Sequence, residues 1–290
     1  MSTPRTKSRT VTFRGAGDIT LVADEWNRDA RSAPSGDGRP TVLLLHGGGQ
    51  NRHSWKNTGQ ILADDGLHVV AVDTRGHGDS DRSPAGNYSV ETLAADTLTV
   101  LDQIGGPVVL VGASMGGLTG ILAAHQAGAE RIAKLVLVDV VPRYEKSGSA
   151  RIREFMFNHV HGFESLEEAA DAVAAYLPHR TRPRSPEGLK KNLRKRDGRW
   201  YWHWDPAFLT KPDDDPSNRA DKLEQAAIGL TIPILLIRGK LSDVVSADGV
   251  KDFLGKVPGT EFVELSEAGH TAAGDDNDAF SRVVLEFANR

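Results

Sequence analysis

Val108-Val-Leu-Val-Gly-Ala-Ser-Met-Gly116 is an apolar run that passes into a serine between two glycines. The run 108–111 is typical of a buried strand, and the residues from Met115 onward are typical of a helix. The flanking glycines leave room for a sharp turn that lifts the hydroxyl of Ser114 clear of the backbone. A helix that begins at Met115 directs free N–H groups toward negative charge formed at the serine. The stretch therefore predicts a strand–turn–helix unit with Ser114 as a nucleophile.

Further short apolar runs lie on both sides of this unit and predict a sheet. They occupy residues 41–45, 67–72, 135–138, 232–237 and 261–265, with helix-like stretches at 54–64, 89–104, 115–127 and 244–254. Strands that alternate with helices form a parallel sheet covered on both faces. Residues 10–14 and 19–26 predict an antiparallel hairpin ahead of it. We predict an α/β fold with a mostly parallel, doubly wound sheet.

One long segment interrupts the alternation. Between residues 143 and 228 no strand-like run occurs, and helical patterns such as 166–176 and 188–195 are followed by an aromatic cluster at 200–205. An insertion of this size between two strands predicts a helical cap over the carboxyl ends of the strands, where ligands bind in open α/β sheets. We predict a core of residues 1–142 and 229–290 with a helical cap at 143–228.

A second glycine-rich stretch, His46-Gly-Gly-Gly-Gln50, follows the run 41–45. Acyl transfer places negative charge on an oxygen, and backbone N–H donors stabilise that charge best where water is excluded. The serine motif pairs the N–H after the nucleophile with an N–H from such an upstream loop. We predict Gly48 and Met115 as the donors of an oxyanion hole, and Gly49 stays open as an alternative to Gly48.

A serine nucleophile also needs a base and an acid that orients it. Of the ten histidines, His270 follows the last strand and so lies at the same edge of the sheet as Ser114. Two aspartates follow strands between the serine and this histidine, Asp139 and Asp243. We favour Asp243, because the chain order of the motif places the acid close to the last strands. Asp139 stays open as the alternative.

Together these motifs resemble those of the α/β-hydrolase fold serine hydrolases. The resemblance covers nearly the whole chain and rests on 46–48, Asp73-Thr-Arg-Gly-His-Gly-Asp-Ser80, 112–116, 238–243 and 269–270. It is greatest for the cap-bearing branch that includes carboxylesterases, lactonases, cofactor-free haloperoxidases and carbon–carbon bond hydrolases. The resemblance implies that 73–80 is a structural turn beside the site. Epoxide hydrolases and haloalkane dehalogenases carry an aspartate where this chain has Ser114, which argues against both.

The resemblance implies a serine hydrolase that cleaves a small carboxylic ester or lactone, or a related carbonyl substrate, through an acyl-enzyme on Ser114, with no metal and no organic cofactor. Carbon–carbon hydrolysis and perhydrolysis on the same triad are alternatives, and Arg52 and Arg75 are candidates to hold a substrate carboxylate in the former. A non-catalytic ligand-binding protein is a third possibility. The candidate substrate-binding residues are Gln50, His53, Trp55, Trp202 and Trp204.

Composition removes several other classes of protein. The chain of 290 residues has 35 Lys and Arg against 39 Asp and Glu, a net charge of −4, which argues against a nucleic-acid partner. The absence of cysteine excludes disulfides and thiolate metal sites. The apolar runs are far shorter than the ~20 residues of a membrane helix, and the polar N-terminus lacks the apolar core of a secretory signal. We predict a cytoplasmic protein with no membrane partner, and the sequence makes no prediction of its oligomeric state.

Overall fold

The computed structural model describes residues 6–31, 39–177, 185–210, 216–266, 268–270 and 277–290. The strands within these ranges are β1 (Arg9–Arg14), β2 (Thr20–Trp26), β3 (Thr41–Leu45), β4 (Val69–Val72), β5 (Val108–Ala113), β6 (Ile132–Val138), β7 (Leu193–Arg196), β8 (Arg199–Trp202), β9 (Ile234–Gly239) and β10 (Glu261–Leu265). The helices are α1 (Lys56–Asp64), α2 (Val90–Ile104), α3 (Met115–Ala127), α4 (Lys146–Asn158), α5 (Leu166–Tyr176), α6 (Ala207–Thr210), α7 (Pro216–Ile228), α8 (Ala247–Lys256) and α9 (Asn277–Asn289).

Eight of the strands form one sheet in the order β1-β2-β4-β3-β5-β6-β9-β10. β2 runs antiparallel to its neighbours β1 and β4, and every other pair in the sheet is parallel. The prediction of a mostly parallel, doubly wound sheet is confirmed. The sheet begins with the predicted hairpin.

The central strands are buried on both faces. On β3, Leu43 and Leu45 belong to a core cluster that includes residues of α2 and α3. Val42 and Leu44 point the other way, into a cluster that includes Leu62 of α1 and residues of α9. Because both faces are covered, these strands are uninterrupted apolar runs in the sequence and do not alternate with polar residues.

The segment between β6 and β9 differs in one respect from the prediction. Residues 188–195 were expected to be helical, but a 3-10 turn at Pro186–Lys191 leads into β7, which pairs with β8 as an antiparallel hairpin. The turn between them is Asp197-Gly198, and both residues have positive φ, 49° and 84°. Such a pair favours a two-residue hairpin turn. Both strands are four residues long; β7 is rich in Lys and Arg, and β8 is one Arg followed by three aromatic residues, so neither gives an aliphatic run.

We call residues 143–228 the insertion, and its boundaries as a separate cap stay a prediction. Its described residues pack on loops that follow β3 and β4. The side-chain amide of Asn51 donates to the carbonyl of Lys191 at 2.9 Å, and the N–H of Asp205 donates to the carbonyl of Gly76 at 2.8 Å. These loops lie at the carboxyl edge of the parallel strands, where open α/β sheets bind their ligands.

None of the helices in the described ranges combines the length and the apolar character that crossing a bilayer requires.

Candidate active site

Ser114 occupies a strained turn between β5 and α3. Its backbone angles are φ 47° and ψ −115°, a conformation that few residues other than glycine adopt. Its N–H donates to the carbonyl of Val138 at 3.0 Å, and its carbonyl accepts the N–H groups of Gly117 and Leu118. The surrounding hydrogen bonds hold the turn in place, as is typical of strained residues at functional sites.

The two glycines that flank this serine are required by their neighbours. A Cβ atom added to Gly112 would lie 2.3 Å from the carbonyl oxygen of Gly116, and one added to Gly116 would lie 2.4 Å from that of Leu45. Real Cβ atoms do not approach backbone so closely. The glycines therefore allow α3 to start directly against the ends of β3 and β5.

His270 connects Ser114 to a buried carboxylate. Its Nε2 lies 3.2 Å from Oγ of Ser114, and its Nδ1–H donates to Oδ2 of Asp139 at 2.7 Å. With the proton on Nδ1, the lone pair of Nε2 faces the hydroxyl. In this tautomer the imidazole can take the proton of the serine, while the carboxylate stabilises the imidazolium that forms.

The carboxylate of Asp139 is fully buried and held from three sides. Besides the bond from His270, Oδ1 accepts the N–H of Gly239 at 3.0 Å, and Oδ2 accepts the hydroxyl of Ser242 at 2.5 Å. The Ser242 oxygen in turn accepts the N–H groups of Val244 and Val245. This network satisfies a buried charge that would otherwise be costly.

The prediction of Asp243 as the partner of His270 is wrong. The carboxylate of Asp243 pairs with Arg151 of α4 at 2.8 Å, and its side chain is 39% exposed. The turn after β6 reaches the histidine instead, because β6 lies next to β5 and its serine, whereas β9 lies one strand further away. The chain order of the motif fits both aspartates and therefore does not distinguish them.

The glycine loop, residues 46–50, contains one glycine N–H group, that of Gly48, without a hydrogen-bond partner among the described residues. The N–H of Gly47 donates to Oε1 of Gln50, and that of Gly49 donates to Nε2 of His77, each at 3.1 Å. Among the described residues, the N–H groups of Gly48 and Met115 have no hydrogen-bond partner. The alternative donor Gly49 is therefore occupied. The oxyanion role of Gly48 and Met115 stays a prediction.

Three buried histidines, one in the glycine loop and two packed against it, act as acceptors. Nε2 of His46 accepts the N–H of Thr74 at 3.0 Å, and Nδ1 of His203 accepts that of Gly78 at 2.7 Å. The rings of His46 and His203 flank that of His77, at centroid distances of 5.2 and 6.1 Å. Burial lowers the pKa of His46 to about 4 and that of His77 to about 3, and it also lowers the pKa of His203. The rings are therefore neutral near pH 7.

Apolar side chains of the insertion pack directly on the glycine loop. A Cβ atom added to Gly48 would lie 3.3 Å from Cζ of Phe208, and one added to Gly49 would lie 3.0 Å from Cε of Met156. Trp204 belongs to the same cluster as Met156. These contacts narrow the space beside Gly48.

The segment that carries Phe208 is held in place by the carboxylate of Asp205, just before α6. Oδ1 of Asp205 accepts the N–H of Ala207 at 3.1 Å, and Oδ2 accepts the hydroxyl of Tyr88 at 2.5 Å. Burial and this carboxylate raise the pKa of Tyr88 to about 12, so its hydroxyl stays a donor.

Of the five candidate substrate-binding residues, only Gln50 and Trp204 lie at the glycine loop. His53 lies beside Asp24, with 3.5 Å between Nδ1 and Oδ2. Trp55 is buried in the core against α9, and Trp202 packs against aromatic rings inside the insertion. Phe208 and Met156 belong to no sequence motif and were not predicted. Ser242, within the stretch 238–243, and His77, within 73–80, lie in motifs but had no predicted role.

Arg52 and Arg75 are buried and already paired. Arg52 contacts three carboxylates, those of Asp24, Asp73 and Asp79. Arg75 binds the carboxylate of Asp96 through Nε and Nη2. Neither guanidinium is available to hold a substrate carboxylate, as the carbon–carbon hydrolase alternative supposed. Among the described residues, no group of three histidines or carboxylates is arranged to bind a metal ion.

The fold agrees with the comparisons to known proteins. The sequence model of the alpha/beta hydrolase fold family matches residues 40–276, and the chain belongs to this family of hydrolase enzymes. The esterase Rv0045c of Mycobacterium tuberculosis is 30% identical over 257 residues, which cover 86% of this chain and 83% of that protein. A solved structure of that esterase aligns with a TM-score of 0.75 at 29% identity and covers 100% of this chain and 94% of its own.

A shorter similarity links the chain to protein phosphatase methylesterase 1 of Mus musculus. The two are 34% identical over 167 residues, which cover 55% of this chain and 42% of that protein.

Proposed function

We propose that the protein is a serine hydrolase that cleaves a small carboxylic ester or lactone through an acyl-enzyme on Ser114. One observation carries this proposal: the hydrogen-bonded chain from Oγ of Ser114 through His270 ends at the buried carboxylate of Asp139. The similarity to an esterase along most of the chain supports ester cleavage. A complete chain of nucleophile, base and acid also argues against a protein that only binds a ligand.

Acylation begins when Oγ of Ser114 attacks the carbonyl carbon of the ester. His270 takes the serine proton on Nε2, and Asp139 stabilises the resulting imidazolium. The N–H groups of Gly48 and Met115 donate to the oxyanion of the tetrahedral intermediate. His270 then gives its proton to the alkoxide as the carbon–oxygen bond breaks, and the alcohol leaves.

Deacylation repeats these steps with water as the nucleophile. His270 takes a proton from a water molecule as the water oxygen attacks the acyl carbon, and the same two N–H groups hold the second oxyanion. Collapse of this intermediate releases the carboxylic acid, and the proton returns to Oγ of Ser114. The proposed cycle uses only groups of the chain, its ester and water.

Labelling of the nucleophile tests this function. We expect the protein to hydrolyse p-nitrophenyl acetate and butyrate and to react with a serine-directed fluorophosphonate. Ser114→Ala should abolish both, whereas the matched control Ser147→Ala, at an exposed position on α4, should leave both unchanged. Turnover or labelling that survives in Ser114→Ala would contradict the proposal, as would a wild-type protein that is neither labelled nor active.

The contacts of Phe208 support a small acyl group, since the ring lies against the glycine loop. Phe208→Ala is expected to raise the ratio of kcat/KM for p-nitrophenyl hexanoate over acetate by about tenfold, in line with the few kcal/mol that methylenes contribute in apolar pockets. Phe157→Ala is the matched control, because Phe157 is 59% exposed. Equal ratios in wild type and Phe208→Ala would contradict a role of Phe208 in acyl size.

A further inference from the structure

The conformation of Gly48 depends on the two peptide groups on either side of its Cα. The first peptide group joins Gly47 to Gly48 and carries the Gly48 N–H. The Gly47 carbonyl of this peptide accepts Nδ1–H of His46 at 2.8 Å and the N–H of Gln50 at 3.1 Å. The peptide after Gly48 carries the N–H of Gly49, which donates to Nε2 of His77. A glycine without side-chain constraints depends on such bonds to keep one conformation.

The two peptides are not held equally. Two donors fix the first one, but among the described residues the N–H of Gly49 has a single acceptor, His77. A Cβ atom added to Gly49 would lie 3.0 Å from Cε of Met156, an apolar group that sets no direction, and 3.9 Å from Nε1 of Trp204. The imidazole of His203 also lies within reach of the Gly49 backbone. Gly49 itself has φ +76°, where only glycine is unstrained. Among the described residues, His77 is therefore the hydrogen-bond acceptor that orients the N–H of the second peptide.

His77 is built to serve as that acceptor. It is only 1% exposed, and its Nδ1–H donates to the carbonyl of Arg75 at 3.1 Å, which leaves the lone pair on Nε2. The Phe208 ring packs edge-on against the imidazole, with 5.0 Å between the ring centroids, and limits its rotation. The low pKa of His77 keeps the ring neutral. If Nε2 were protonated, it would be a donor itself and could not accept the N–H of Gly49.

We propose that His77 is a positioning residue for the oxyanion hole: by accepting the Gly49 N–H, it holds Gly48 in the conformation that directs its own N–H at the oxyanion. This inference rests on the proposed function and deepens it. His77 touches neither the substrate nor the reacting atoms. Its loss should therefore weaken binding of the transition state, where the charge develops, more than binding of the ester.

The test compares substitutions that differ in reach. In His77→Gln, Oε1 can take the place of Nε2, whereas the shorter side chain of His77→Asn cannot reach Gly49, and His77→Leu has no acceptor. We expect kcat to fall 10- to 100-fold in the Asn and Leu variants with KM within about threefold, given the 10²–10³-fold effect of removing a whole oxyanion donor. His77→Gln should recover most of kcat. The matched control His125→Asn, at an exposed position on α3, should equal wild type.

The affinity for a transition-state analogue distinguishes a positioning role from a merely structural one, because a merely structural role would leave this affinity unchanged. The inhibition constant of an aryl trifluoromethyl ketone should rise across the variants in parallel with the loss of kcat. If His77→Leu fails to fold, the comparison of the Asn and Gln variants decides. Equal kcat in His77→Asn and wild type, or equal losses in the Asn and Gln variants with unchanged ketone affinity, would overturn this inference alone. A wild-type protein without esterase activity would overturn the proposed function and this inference with it.

Discussion

The turns after β6 and β9 each bring an aspartate to the same edge of the sheet, but the two carboxylates differ in burial and in hydrogen bonding. Asp139 sits at φ 49°, is fully buried and accepts three hydrogen bonds. Asp243 is partly exposed and pairs with a single arginine on α4. A surface pair of this kind contributes at most about 1 kcal/mol of stability, whereas a buried carboxylate is tolerated only when its lone pairs are satisfied.

The two turns nevertheless act together. The turn after β6 supplies the charge, and the strand end and turn after β9 supply two of the donors that orient it, the N–H of Gly239 and the hydroxyl of Ser242. The residue next to Asp243, and not Asp243 itself, therefore faces the site. The acid of such a site is identified by its hydrogen bonds to the histidine and not by its place after a given strand.

The largest expected effect comes from Asp139→Asn. An asparagine that donates from the position of Oδ2 disfavours the tautomer of His270 that leaves Nε2 free, and the comparable change in serine proteases costs ~10⁴-fold in kcat. We expect kcat for p-nitrophenyl butyrate to fall by about 10³- to 10⁴-fold in a folded protein, as judged by circular dichroism. A loss of less than tenfold would mean that another residue supplies the acid.

A second variant sharpens the comparison by moving the charge from one turn to the other. Because the Ser242 hydroxyl lies 2.5 Å from the carboxylate of Asp139, a carboxylate introduced at position 242 can reach Nδ1 of His270. We expect Asp139→Asn combined with Ser242→Asp to have at least tenfold higher kcat than Asp139→Asn alone. The control combines Asp139→Asn with Ser242→Ala and should show no recovery. Equal activity of the two double variants would contradict the shared geometry of the turns.

Ser242→Ala alone should have an intermediate effect. It removes one donor from Asp139 and leaves the N–H groups of Val244 and Val245 without their acceptor. A hydrogen bond to a charged group contributes about 1.5–3 kcal/mol, so we expect a loss of about tenfold in kcat and of about 1–2 kcal/mol in the free energy of unfolding by urea. Unchanged values of both quantities would show that Ser242 does not support the acid.

The smallest effect is expected from Asp243→Asn, the same chemical change as in the first variant. It removes one partly exposed ion pair with Arg151, so kcat should stay within twofold and the free energy of unfolding should fall by less than about 1 kcal/mol. Kinetics and urea unfolding measured beside Asp139→Asn provide the contrast. A loss of a hundredfold in kcat would reverse the assignment of the two aspartates.

The fold was predictable because its signals are local. Strands buried on both faces must be apolar at every position. A Cβ atom added at Gly112 or Gly116 would lie 2.3 or 2.4 Å from a backbone oxygen, so both positions exclude any side chain. The serine turn, the glycine loop and the histidine after the last strand could therefore be found from the sequence. The short strands β7 and β8 could not, because Lys and Arg dominate β7 and because β8 is a four-residue strand within the aromatic cluster.

The identities of the aspartate beside His270 and of the candidate substrate-binding residues depend on which elements become neighbours in the fold. Both aspartates follow strands, and only the order of strands in the sheet places Asp139 beside the histidine. Trp55 and Trp204 are both apolar, aromatic and buried, but one packs in the core and the other at the glycine loop. Composition is the same in both environments, so only the tertiary contacts distinguish them.

Two of the three buried histidines at the glycine loop, His46 and His77, couple unfolding to proton uptake. His46 and His77 stay neutral in the native protein down to about pH 4 and pH 3, whereas in the unfolded chain they titrate near 6.5. Above pH 6.5 both imidazoles are neutral in the native and in the unfolded state, so they do not change the free energy of unfolding with pH. As the pH falls below 6.5, the unfolded chain binds protons that the native protein does not, so the native protein becomes less stable.

Each of these histidines costs about 1.4 kcal/mol per pH unit in that window. At pH 5 the pair therefore lowers the free energy of unfolding by about 4 kcal/mol, which urea titrations between pH 7 and 5 can measure. His77→Gln should reduce the slope of the free energy of unfolding against pH by the contribution of one proton. A urea midpoint that does not change from pH 6.5 to 5 would contradict this coupling. Burial that keeps the rings as acceptors makes the native protein sensitive to mild acid.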